Sequence, residues 1–246
     1  MTISGNGTEV ESQKKVRAIL YVVATPIGNL NDITLRALEV LKSVDVILCE
    51  DTRRSLNLLN HFGIQKPLYS IFGPKEKKEI SRILQILSQG RSVALLSDAG
   101  TPAISDPGSF IVRSCRDAGY RVEPIPGASA ITSALSVAGI QTDGFVFLGF
   151  LKRRKSRIEK ELRLAASLGS AILFFESPYR LVKTLEVAEK IFEPETFCWV
   201  GRELTKKFEE TMEGTIKDVL SRIQNKEILG EVVIILKPHN QNENKS

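Results

Sequence analysis

"AILYVVATPIGNLNDITLRALEVLKS", residues 18–43, decides the class of fold. It opens with a run of apolar, partly β-branched residues that is short enough for a strand buried on both faces. A polar turn holding Pro26 and Gly28 follows. Beyond it Leu35, Leu38 and Leu41 recur at helical spacing, behind Asn31 and Asp32 as the expected cap. Strand, turn and helix form one α/β unit, and the unit repeats. Further strands are expected at 44–50, 92–98, 120–126, 145–150, 170–176, 197–204 and 231–237. Helical patterns lie between them, as in "KEKKEISRILQILSQG" (75–90, closed by Gly90), "YRLVKTLEVAEKIF" (179–192) and "TIKDVLSRIQ" (215–224). Alternation along the whole chain predicts an α/β protein with mostly parallel sheet.

About eight strands in 246 residues also match a single (β/α)8 barrel. Against the barrel stands "EPIPGASA" (123–130), which breaks the rhythm near mid-chain, and the strand spacing beyond it is irregular. The preferred reading is two α/β domains, 17–124 and 127–237, with a cleft between them. The polar ends, 1–16 and 238–246, are expected to be disordered.

Composition narrows the function classes. With 42% apolar residues the chain can bury a sizeable core. A net charge of +5 and a pI near 9.1 favour a polyanionic partner only weakly. Cys49, Cys115 and Cys198 are odd in number and far apart, so neither a disulfide framework nor a zinc site is expected. No secretory leader or long apolar span is read, which gives a cytoplasmic expectation and makes Asn6-Gly7-Thr8 an incidental glycosylation match. Of the two histidines, His239 lies in the tail and His61 near a helix end. A histidine-based triad or metal centre is therefore not expected.

No phosphate loop and no G-x-G-x-x-G motif follows any strand. Polar turns remain at the carboxyl ends of strands, where open α/β sheets bind ligands: "VVATPIGNL" (22–30), "CEDTRR" (49–54) and "SDAGTPAISDPG" (97–108). Each alone reads as a plain strand-to-helix turn, and in the last Ser105 or Asp106 is expected to cap the next helix. Three together on one sheet edge make a ligand cleft the better reading. Gly28, Gly100 and Gly108 permit close backbone approach, and Pro26, Pro102 and Pro107 stiffen the loops. With few fixed cations, the cleft suits a ligand carrying adenosine and an amino acid but no phosphates.

"LYVVATPIGNLNDITLRALEVLKSVDVILCEDTR", "LLSDAGTPAISDPG", "PIPGASAITSALSVAG", "FFESPYRL", "GRELTKKFEE" and "GEVVIIL" resemble, in order and spacing, the ribosomal RNA small subunit methyltransferase I family. The resemblance runs from about residue 18 to 237. It implies the tetrapyrrole methylase fold, S-adenosylmethionine as cofactor, a homodimer, and methyl transfer to the ribose 2'-hydroxyl of a cytidine in small-subunit ribosomal RNA. By the same resemblance Pro26, Asp98, Gly100, Thr101, Ile104, Ser129, Ala130, Glu176, Ser177 and Leu204 contact the cofactor. Where relatives commonly carry a segment resembling "YHEHNE", this chain reads "YSIFGPKEKKE" (69–79), so any role of that segment in substrate handling would be moved, lost or taken by Lys75 and Glu76. The family's "FLPRK" appears as "FLKRRK" (150–155).

A ribose hydroxyl is a weak nucleophile while protonated, so a base or a cation near the developing alkoxide is expected. The strand-end candidates are Glu50, Asp51 and Glu203 as base or orienting group, with Arg53, Arg202 and Lys206 as the cations. The alternative for each is an ion-paired structural role. Lys152, Arg153, Arg154 and Lys155, with Arg157 behind them, are candidates to grip RNA phosphates or else form a solvated helix face. Two other functions fit the same residues: a carbon methyltransferase acting on a tetrapyrrole, and a non-catalytic RNA-binding factor of ribosome assembly.

Overall fold

In the computed structural model, which describes residues 18–71 and 76–238, the apolar runs of the first half form five parallel strands. They are β1 (Ile19–Val23), β2 (Val46–Cys49), β3 (Leu68–Ser70), β4 (Val93–Leu95) and β5 (Arg121–Ile125), in the order β3-β2-β4-β1-β5. Successive side chains leave opposite faces of a strand, and both faces here are covered. Leu20, Val46, Leu48, Val93 and Leu95 pack with α3 (Glu76–Ser88) and α4 (Ser109–Asp117). Val23, Ile47, Cys49 and Ala94 pack on the other side with α1 (Leu35–Ser43) and α2 (Thr52–His61). Full burial of such a side chain contributes about 1.5–3 kcal/mol, which makes these strands the fixed part of the first half.

The second half carries its own sheet, β6-β7-β10-β8-β9. Its strands are β6 (Phe145–Phe150), β7 (Ala171–Glu176), β8 (Phe197–Arg202), β9 (Glu210–Thr215) and β10 (Val232–Lys237). The expectation of mostly parallel sheet holds for the first sheet but not here: only β6 and β7 are parallel, and the other three pairings are antiparallel. One face is filled by α6 (Lys155–Ala166), α7 (Leu181–Glu189) and α8 (Ile216–Ile223). The other packs against α5 (Ala130–Val137), where Ala134 and Ala138 meet Leu173, Trp199, Val233 and Ile235. Two separate open sheets replace the single barrel that strand count alone allowed.

Other local expectations also change. Thr34, not Asn31 or Asp32, caps α1 by accepting from Ala37 N–H, and Asn29 caps a short 3-10 turn at Leu30–Asp32. Pro124 lies inside β5, tolerable because β5 is an edge strand paired only to β1. The run expected as a strand to residue 204 ends at Arg202, and Glu203 and Thr205 turn away with φ of +52° and +66°. The three cysteines are buried free thiols. Lys75 lies outside the described residues, as does the side chain of Glu76, so their expected role is not addressed by the fold.

Candidate active site

Strand β4 lies between β1 and β2, so the chain reverses its direction of travel across the sheet at β1 and β4. Loops leaving such neighbours diverge and open a crevice at their carboxyl ends. Thr25, just beyond β1, is bridged to Gly100, beyond β4, by two backbone hydrogen bonds of 2.9 and 3.0 Å. The buried hydroxyls of Thr25 and Ser97 also donate to the Gly100 carbonyl, at 3.4 and 3.1 Å. Gly100 has φ +78°, and a Cβ there would come within 3.3 Å of Ile27 Cγ2. This loop is a fixed backbone edge.

The edge borders a cavity of about 340 Å³ between the two sheets. Gly100, Thr101, Ile104, Ser129, Ala130, Glu176, Ser177 and Leu204 all line it, so eight of the ten residues expected at the cofactor come together. No lysine or arginine is among its lining residues. Phe150, Phe175 and Val232 supply an apolar wall, and Asp106 and Glu231 supply carboxylates. The remaining two expected residues, Pro26 and Asp98, line a second cavity of about 240 Å³. Ile27, Ala99 and Glu231 line both, so the cavities are neighbours.

Several residues hold the walls rather than face the space. The buried Glu176 carboxylate accepts from Ser177 N–H at 2.7 Å and from the Thr184 hydroxyl at 2.7 Å, and pairs with Arg180 at 3.2 Å. Arg180 also donates to the carbonyls of Leu151 and Lys152, fixing the turn before α6 against the turn after β7. Glu203 accepts from Lys206 Nζ at 2.8 Å and from Glu231 N–H at 2.9 Å. Burial raises the Glu203 carboxyl, but these bonds together bring it below the ordinary range. Lys206 meets Glu231 as well, at 3.0 Å; burial pulls its ammonium down and the two carboxylates more than restore it. Gly28 brings the first half against this network, since a Cβ there would overlap Lys206 Cγ.

The expected catalytic groups therefore separate. Asp51 is the N-cap of α2, accepting from Arg53 N–H at 2.8 Å, and the Arg53 side chain folds back onto it. Hydrogen bonds from Arg53 hold the Asp51 carboxyl at about 2. Arg202 is bound to Glu210 and to the Leu229 carbonyl. Of the six, Lys206 alone lines a cavity, the second one. Glu50 stands near Asp98 and Asp106; burial and these like charges raise its carboxyl above the ordinary range.

Sequence reasoning missed Asp106 and Arg54. The α4 cap falls on Gly108, with φ +126°, so Asp106 is not spent on a helix end and lines the first cavity instead. Burial, with Asp98 and Glu231, raises its carboxyl. Arg54 lines the second cavity and pairs with Asp98 at 3.4 Å, where its neighbour Arg53 had been expected to act. Lys152–Arg157 are exposed and follow closely in the chain on Phe150, which lines the first cavity. Among the described residues no helix is long and apolar enough to cross a membrane. Nor does any cluster of three His, Cys, Asp or Glu among them stand ready for a metal ion.

The family model described as Tetrapyrrole (Corrin/Porphyrin) Methylases matches residues 19–220. The protein named ribosomal RNA small subunit methyltransferase I in Leptospira biflexa is 46% identical over 199 residues, 81% of this chain and 82% of that one. Its namesake in Thermotoga maritima is 45% identical over 218 residues, 88% of this chain and 97% of that one. The chain belongs to the tetrapyrrole methylase family. A crystal structure of diphthine synthase superposes on this methylase with a TM-score of 0.70 at 18% identity, covering 90% of this chain and 92% of that one. Uroporphyrin-III-C-methyltransferase from Thermus thermophilus gives 0.61 at 20% identity, covering 89% and 94%. Those two similarities speak for the fold.

As a methyltransferase of this family the enzyme uses S-adenosylmethionine. The first cavity fits that cofactor. Its size lies in the range of small-molecule sites, and its apolar wall suits adenine. Its backbone edge suits an amino acid moiety, its carboxylates suit a sulfonium and an ammonium, and none of its lining residues is a cation that a phosphate would need.

Proposed function

We propose that this methylase transfers a methyl group to the ribose 2'-hydroxyl of a cytidine in small-subunit ribosomal RNA. The observation that carries the reading is a cavity without lysine or arginine, built for a phosphate-free cofactor, in a chain 45–46% identical to proteins named for that RNA. When bound, S-adenosylmethionine supplies an electrophilic methyl carried on a sulfonium.

The chain's own residues have three tasks. Gly100, Thr101, Ser129, Ala130 and Ser177 hold the cofactor largely through main chain, and Ile104, Phe150, Phe175 and Leu204 keep water from it. Asp106 would take the proton that the ribose hydroxyl loses as its oxygen displaces the sulfonium sulfur, which leaves as a neutral thioether, from the methyl carbon. Burial, then the negative charges of Asp98 and Glu231 behind it, keep Asp106 more basic than an exposed carboxylate, and Glu50 stands beside the same charges. Asp51, Arg53, Arg202 and Glu203 are positioning residues, and Lys206, with Arg54, brings a cation to the second cavity.

Lys152, Arg153, Arg154 and Lys155 grip the RNA backbone. The reading includes the domain boundaries 17–124 and 127–237, a homodimer and a cytoplasmic location. Offering labelled S-adenosylmethionine with small ribosomal subunits and a tetrapyrrole precursor tests it. Label is expected in RNA alone; label in the macrocycle makes the enzyme a carbon methyltransferase, and none in either points to an assembly factor. Sedimentation at twice the chain mass is the expected outcome for the dimer.

A further inference from the structure

We infer that the second cavity is the acceptor pocket, shaped for a single nucleoside turned out of the RNA, with Arg54 and Asn57 as its selecting residues. The inference rests on the ribosomal RNA reading and specifies how that substrate is met.

Adjacency is the first ground. Ile27, Ala99 and Glu231 form the partition between the two cavities. A group held in one therefore lies beside a group held in the other, as an in-line transfer requires.

Size and charge are the second. At about 240 Å³ the cavity is a half-open recess on the scale of a single extruded nucleotide, open on one side to the rest of the RNA. A tetrapyrrole with its rim of carboxylates is far larger and would meet Asp98 and Glu231 directly. Those carboxylates are already matched within the wall, Asp98 by Arg54 and Glu231 by Lys206. What the pocket presents is hydrogen-bonding capacity with little net charge, which suits a neutral base and a ribose.

Helix α2 supplies the third. Ser55 and Leu58 are buried, while Arg54 and Asn57, three residues apart, share its exposed side and both line the pocket. Arg53 is turned away, its side chain 88% exposed and folded onto Asp51. The Asn57 amide offers a donor and an acceptor, the complement of the donor–acceptor edge of cytosine. Arg54 pairs with Asp98 through one nitrogen at 3.4 Å while its side chain stays 65% exposed. Its outer N–H groups remain for the phosphate flanking the extruded nucleoside. Pro26, Leu30 and Leu58 provide apolar surface for the base.

Steady-state methylation of small ribosomal subunits by Asn57→Leu and Arg54→Gln, with calorimetric titration of S-adenosylmethionine, tests the assignment. For Asn57→Leu, kcat/KM is expected to fall about 10- to 100-fold, as when a polar partner of a substrate is lost, with cofactor affinity within about twofold of wild type. Arg54→Gln is expected to raise KM and to lower the salt slope of RNA binding by about one. Wild-type transfer to the subunits with both variants within twofold of it overturns the pocket. Parallel loss of cofactor affinity in both variants also overturns it, because the second cavity is then not a separate site. Wild type that leaves the subunits unmethylated is a different result, which refutes the RNA reading itself.

Discussion

Asp106 is held in an environment that disfavours its own charge. Burial comes first, then the negative charges of Asp98 and Glu231, and the carboxyl is raised. The native state therefore binds this proton more tightly than the unfolded chain. Its stabilising contribution is complete below the ordinary carboxylate pKa and is lost as pH rises through the raised value. Asp106→Asn is expected to melt higher than wild type at pH 7, with the advantage vanishing near pH 3, while methyl transfer falls at least 10²-fold. Melting curves at the two pH values and a single-turnover assay check both halves. Gly100→Val tests the cofactor edge: with φ +78° and Ile27 3.3 Å from the added Cβ, it is expected to cost about 1–3 kcal/mol and to abolish cofactor binding by calorimetry. At this scale the meeting of Gly100, Thr101 and Ser129 at one cavity was legible through the resemblance of their loops to the family's. The sequence was not legible for adjacent like residues. Arg53 and Arg54 are one residue apart, and only the phase of α2 and the Asp51 cap decide which of them faces the cavity.

The start of α6 shows an element giving up local stability. Arg154 occupies its N-cap without a side-chain bond to the free N–H groups, and Lys155 and Arg157 stand in its first turn, against the helix dipole. Position for position, Ser and Glu would serve the helix better, which is why the basic run reads as a grip on RNA. Arg154→Ser is expected to stabilise the protein by about 1 kcal/mol, or about 2–4 °C in Tm, while weakening RNA binding. Reversing Lys152, Arg153 and Arg154 to Glu is expected to weaken binding uniformly across RNA sequences and to lower the salt slope by about three. By contrast α8 carries a full capping box between Thr215 and Asp218, consistent with a purely structural helix. Long apolar strands were legible as elements because β-branched runs have one interpretation when helices flank them. The edge strands β3 and β9 were not: β3 has three residues, and β9 buries only Met212. Their pairing comes from neighbours rather than from their own pattern.

At the scale of the whole molecule, two neighbouring cavities open between the two sheets, the first proposed for a phosphate-free cofactor and the second for the acceptor. The α/β class was readable from rhythm, whereas "EPIPGASA", read as a break, runs from within β5 to the start of α5. The mixed second sheet was not readable, because strand direction is set by how β10 inserts between β7 and β8, a long-range pairing with no local signature. The central claim is that these cavities bring a methyl group to a ribose oxygen. The most direct measurement is to methylate small ribosomal subunits with labelled cofactor, hydrolyse the RNA in alkali and identify the labelled product. A 2'-O-methyl blocks cleavage of the adjoining phosphodiester, so the label is expected in an alkali-resistant dinucleotide that yields 2'-O-methylcytidine. Label released as an ordinary mononucleotide, with the methyl on the base, would contradict the account.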